Sequence, residues 1–211
     1  KQVAELLIQH GADVNARDRN QYAPLQQAAS NGRKNVAELL IQQGAEIDAR
    51  NCAQQTALHW AAMRGHKNAA ELLIQHGAEV DARASDQRTP LHLAAMNGHT
   101  GVIKFLLKHN ADLNPPDEDR WTPLHHAASS GRKDVVELLI NVGSDVDAQA
   151  IDQWTPLLLG VDEGHDTVVE HLLRTDHARG NHMSIPSVWS TFGSHNAIVE
   201  LLMCSVAGFL V

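Results

Sequence analysis

Apolar positions along this chain fall into paired short stripes rather than one long run. In residues 89–110 the first stripe is Leu91, Ala94 and Ala95, a spacing of three and four that predicts a short helix. Gly98 interrupts it. Val102, Ile103, Leu106 and Leu107 then predict a second helix over about 100–109. Thr-Pro at 89–90, 122–123 and 155–156 supplies an N-cap followed by proline at the first helical position. The second helix ends at Gly11, Gly44, Gly77, Asn110 or Gly143. Glycine there, with asparagine as its substitute, marks a left-handed capping residue. The polar stretch DARASDQR at 81–88 leads to the next Thr-Pro and predicts a protruding hairpin arm.

The pairs recur every 33 residues. AELLIQQGAEIDAR at 37–50 and AELLIQHGAEVDAR at 70–83 agree at twelve of 14 positions. A fixed period of this size means stacked units whose stability is a sum of nearest-neighbour contacts. The frame divides the chain into a half repeat (1–17), five repeats (18–50, 51–83, 84–116, 117–149, 150–182) and a degenerate last repeat or cap (183–211). In that last part the offset falls to 30, carrying Pro156 to Pro186 and Glu170 to Glu200. The expected core is Leu39, Leu40, Leu58, Ala61, Ala62, Leu72, Leu73, Leu91, Ala94, Ala95, Leu106, Leu124, Ala127, Leu138 and Leu139.

TPLHLAAMNGH at 89–99, TPLHHAASSG at 122–131 and ELLIQHGADVNA at 5–16 resemble the ankyrin-repeat pattern. The resemblance is close over 1–174 and weak over 175–211. It implies an all-α solenoid of helix-turn-helix units with protruding β-hairpin arms. It also implies a non-enzymatic interaction module, a scaffold or adaptor that binds a protein on its concave face. The alternative is the recognition arm of a multidomain enzyme, a ubiquitin-ligase adaptor or a pathogen effector whose active part lies outside this segment. Two departures stand out. The family glycine at the hairpin tip is Gln21, Gln54, Gln87, Arg120 and Gln153, and the first full repeat has Ala23 and Gln26 for the usual threonine and histidine. That repeat is therefore expected to be weaker. The C-terminal end is expected to loosen first, because Asp176 replaces the capping glycine and Ile185-Pro186 replaces Thr-Pro.

Charge narrows the partner. The net charge is −8, split as +1 over 1–105 and −9 over 106–211. Nucleic-acid binders carry a basic excess, so that class is disfavoured. The longest uncharged, apolar-leaning stretch, 201–211, is too short to span a bilayer. Two cysteines make no disulfide framework and point to a reducing compartment, the cytoplasm first and the nucleus second. Cys52 is expected as a free thiol on a hairpin tip. Residues 1–7 already read as helix interior, as in a piece of a longer protein, and a monomer is expected.

Candidate chemistry is sparse. There is no phosphate-binding glycine loop, nucleophile elbow or HExxH, so no catalytic residue, cofactor or metal is expected. The 14 histidines fall mostly into repeat columns, such as His59, His92 and His125, or His66, His99 and His165. Column residues lie along the array rather than converging, which favours hydrogen bonds that tie helix starts and loops. Asp176, His177 and His182 form the weaker metal alternative. Asp117, Glu118 and Asp119 read as solvated or partner-facing carboxylates with ordinary pKa values.

Function then falls to the positions that the repeat leaves variable, the tips and the ends of the short helices. The partner-binding candidates are Arg19, Tyr22, Gln55, Met63, Arg64, Arg88, Met96, Asp119, Trp121, Asp152 and Trp154, with Ile151, Asp162 and Glu163 beside the last two. Trp121 and Trp154 share one slot in adjacent repeats. They either bind a partner or lie flat over a neighbouring hairpin. The partner expected is a protein with an apolar centre and a basic rim.

Overall fold

A computed structural model describes residues 1–179, with side chains to Thr175, and among these it contains eleven helices and no strand. A single helix, α1 (Gln2–Gln9), comes first. Five pairs follow: α2 (Pro24–Ser30) and α3 (Lys34–Gln42), α4 (Ala57–Met63) and α5 (Lys67–Gln75), α6 (Pro90–Met96) and α7 (Thr100–Lys108), α8 (Pro123–Ser129) and α9 (Lys133–Asn141), α10 (Pro156–Asp162) and α11 (Asp166–Arg179). The expected last repeat or cap at 183–211, which contains Cys204, lies outside the described residues.

Each short helix packs against its own second helix and against the next short helix. The alanine pairs Ala61 and Ala62, Ala94 and Ala95, Ala127 and Ala128 are fully buried at these crossings, where small side chains let backbones approach. Leu58, Leu73, Leu91, Leu106, Leu124 and Leu139 fill the layer between short and second helices. Two expected core residues, Leu39 and Leu138, are only half-buried. They sit on the flank of α3 and α9, whose buried stripes run through Ala37 and Leu40 and through Val135, Val136, Leu139 and Ile140. At the N-terminal end Val3, Leu6 and Leu7 are exposed. There an apolar cavity of about 380 Å³ opens between α1 and the first full repeat.

The capping residues behave as their chemistry requires. Gly44, Gly77 and Asn110 stand at φ of +85°, +89° and +62°. Where Asp176 takes this slot no left-handed stop forms, and α11 runs on to 14 residues instead of the nine of α3, α5, α7 and α9.

The arms differ from the hairpins expected. Each is a five-residue turn closed on itself, as where Asp18 N–H donates to the Tyr22 carbonyl at 3.1 Å and Asp117 N–H to that of Trp121 at 2.9 Å. Neighbouring turns share a single backbone bond: Cys52 to Asn20, Ser85 to Ala53, Glu118 to Asp86 and Ile151 to Asp119, at 2.9–3.1 Å. One bond per neighbour aligns the tips but builds no strand ladder. Gln21, Gln54, Gln87, Arg120 and Gln153 adopt φ of +58° to +63°, the conformation that glycine would take there without strain.

Candidate functional site

The tips that carry the variable residues are held by a repeated polar relay. Thr56, Thr89 and Thr122 cap the short helices, and their N–H groups donate to Nδ1 of His59, His92 and His125 at 3.0–3.1 Å. Nε2 of each ring reaches into the next repeat and donates to the carbonyl of Arg88, Trp121 or Trp154 at 3.0–3.1 Å. Each histidine thus joins a helix start to the following tip, as the column reading anticipated. Burial pulls His59 and His92 down to about 4, against the bonds to the Arg88 and Trp121 carbonyls, and the His126 charge adds to the effect on His92. Burial likewise lowers His125. Nδ1 already accepts a backbone proton, so a second one has no place.

Gln26 does the same work in the first full repeat. Its Oε1 accepts from Ala23 N–H at 2.8 Å, and its Nε2 donates to the Ala49 and Gln55 carbonyls at 2.9 and 2.7 Å. The first full repeat, expected to be the weaker one, thus makes the same tie to its neighbour through a different side chain. A second relay runs beneath it. His66, His99 and His165 donate to the carbonyls of Ser30, Met63 and Ser129 in the preceding repeat at 3.0–3.1 Å. The His66 ring lies over Gly32, where a Cβ would meet it at 2.6 Å, so glycine is needed for the approach as well as for its φ of +64°.

The expected binding residues line the tips and the short-helix ends, and none is fully buried. Arg19, Arg64, Asp119 and Asp152 are exposed. Tyr22, Gln55, Met63, Arg88, Met96, Trp121 and Trp154 are half-buried. Cys52 is an exposed free thiol. Tyr22 leans on Trp60 of the next repeat, ring centroids 5.3 Å apart, a contact that the sequence reading missed. The Trp121 indole stacks on His125 at 6.3 Å and tilts against His126 at 5.1 Å, so part of this ring is committed to its own repeat.

Asp117 departs from the solvated carboxylate expected. Its side chain is 2% exposed and bonds to His126 Nε2 at 2.8 Å. The same oxygen faces Arg88 Nε at 3.4 Å, and Oδ1 accepts from the N–H groups of Asp119 and Trp121 at 3.1 and 2.7 Å. Burial alone would raise its pKa, but the His126 hydrogen bond and charge, with the Trp121 N–H, outweigh that and lower it. His92, Asp117 and His126 bring donor atoms within 4.8 Å of one another. His92 nonetheless has both nitrogens in the relay, and His126 Nε2 holds Asp117, so the trio is a structural network. Asp176, His177 and His182 lie outside the residues whose side chains are described.

Between the tips of the fourth and fifth repeats lies a groove of about 430 Å³. Trp121, Trp154, Ile151 and Leu159 give it apolar walls, and Asp119, Asp152, Asp162 and Glu163 give it a carboxylate rim. Leu159 is the wall residue that sequence reasoning missed. Its column holds Gln27, Trp60, Leu93 and His126, and that variation was the available signal.

A family model described as ankyrin repeats (3 copies) matches residues 1–51, 49–117, 79–150 and 114–184. No curated protein matches the chain.

Proposed function

The chain belongs to the ankyrin-repeat family, whose arrays are typically non-catalytic and generally serve as protein–protein interaction modules, and we propose that this one is a scaffold or adaptor gripping a partner protein on its concave face. The observation that carries the reading is the row of tips. Backbone bonds and the histidine relay hold them rigidly, while the side chains that they present change from repeat to repeat. Rigid display lowers the entropy cost of binding, and variable display sets specificity. The partner spans repeats two to five, with Arg64 toward one end and Trp121 and Trp154 toward the other. It presents an apolar centre and a basic rim to the acidic half. The protein acts as a monomer without enzymatic activity or cofactor. It works in the cytoplasm, where an exposed thiol such as Cys52 stays reduced.

The test is affinity capture with three forms of the chain: wild type, the concave variant Arg64→Ala/Trp154→Ala, and an outer-helix variant, Lys104→Ala. Proteins retained by wild type and Lys104→Ala but lost from the concave variant support the reading. Equal retention by all three overturns it.

A further inference from the structure

The period places two grooves side by side and shows what one of them contains. In the groove between repeats three and four the tip slot is Arg88. Its guanidinium lies 3.6 Å from Asp86 and 3.4 Å from Asp117, between carboxylates of two successive tips. Moving 33 residues along the chain turns Arg88 into Trp121, Asp86 into Asp119, Ser129 into Asp162 and Ser130 into Glu163. The groove between repeats four and five has thus lost its internal cation, and Asp162 and Glu163 replace the two carboxylates that disappear where Asp117 and Glu118 become Ala150 and Ile151. Among the described residues no lysine, arginine or histidine lies within 4.0 Å of Asp119, Asp152, Asp162 or Glu163.

We propose that the groove between repeats four and five is an anchor pocket for an arginine side chain of the partner polypeptide, which supplies from outside the guanidinium that Arg88 supplies internally one repeat earlier. This rests on the concave-face reading above and names the chemistry recognised there. A guanidinium suits the walls and the rim together. Its flat face stacks on indole, and its N–H fork engages carboxylates at the edge. The volume, about 430 Å³, falls within the rough 300–1,000 Å³ range of small-molecule ligand pockets and leaves room for a guanidinium between the indoles. Four carboxylates around the mouth also repel phosphate-bearing ligands, so the occupant is a peptide rather than a nucleic acid.

The experiment uses the whole 211-residue chain. The indole N–H signals of Trp121 and Trp154 are followed by nitrogen-15 NMR while N-acetyl-arginine N-methylamide is added, with the lysine and glutamine counterparts as controls. The arginine compound is expected to shift both signals at least fivefold more tightly than either control and to leave the Trp60 signal in place. Asp152→Asn/Asp162→Asn/Glu163→Gln, with its other signals unchanged, is expected to bind it at least fivefold more weakly. Equal response to glutamine, equal binding of lysine, no shift at either indole or undiminished binding by the triple variant would each overturn the proposal. Concave-face capture that succeeds while the arginine compound is silent removes the arginine pocket and leaves the partner reading standing. Loss of both removes both.

Discussion

Two adjacent grooves of one array have the same backbone and opposite chemistry. Between repeats three and four, Arg88, Asp117 and His126 satisfy one another, and the groove is closed by its own side chains. Between repeats four and five the same three slots hold Trp121, Ala150 and Leu159, and the carboxylate rim faces outward. The comparison teaches that a repeat can switch from self-contained to receptive through a few column changes while its turns, caps and relay stay as they are.

Asp117→Ala should break the closed groove most severely. It strands His126, leaves Arg88 with Asp86 alone and frees two turn N–H groups, and each buried group left unpaired costs about 1–3 kcal/mol. Urea unfolding should show that loss. Asp152→Ala, on the open rim, should stay within about 0.5 kcal/mol of wild type. Similar losses for the two variants would erase the distinction between the grooves.

Acid should act next, on the relay that the two grooves share. His59 and His92 stand at about 4 in the fold against an ordinary 6.5. The unfolded chain therefore binds more protons between these values, and stability falls as pH drops from 6.5 toward 4. Each ring contributes roughly 3 kcal/mol of that loss by its end. His92→Gln copies the Gln26 arrangement and should flatten the pH slope by one ring's share. An unchanged slope in denaturation from pH 7 to 4.5 would contradict this.

Trp154→Ala and Trp121→Ala should each weaken the partner by about 2 kcal/mol, as aromatic anchors do. Trp121 packs on His125 and His126, so its loss should also lower the melting temperature. Isothermal titration paired with calorimetry separates the two effects. An unchanged melting temperature for Trp121→Ala would mean that its ring contacts do not hold its own repeat together.

The smallest effect belongs to the tips. Gln87→Gly and Gln153→Gly should each stabilise by less than about 1 kcal/mol. Relief of the left-handed conformation exceeds, by little, the added freedom of the unfolded chain. A loss at Gln153 with a gain at Gln87 would show that the open groove's turn is not built like the closed one.

The sequence made the repeated features legible: the helix pairs, the left-handed caps at Gly44, Gly77 and Asn110, and the histidine columns. It also marked the tip slots of Trp121 and Trp154. The burial of Asp117 was hidden, because its partners His126 and Arg88 both depart from their columns, nine residues downstream and 29 upstream. A comparison of neighbouring columns, Arg88 with Trp121 and Asp117 with Ala150, would have exposed the switch.

Local sequence determined what each unit is, because caps, prolines and apolar stripes act within a few residues and recur in phase. Only the stacking decided what each unit meets. Tyr22 reaches Trp60, Arg88 reaches Asp117 and His92 reaches the Trp121 carbonyl across separations of 29 to 38 residues. Those contacts follow from how far each repeat is turned and shifted on its neighbour. That geometry is set by the packing of buried alanines and leucines between layers, which a 33-residue period leaves open.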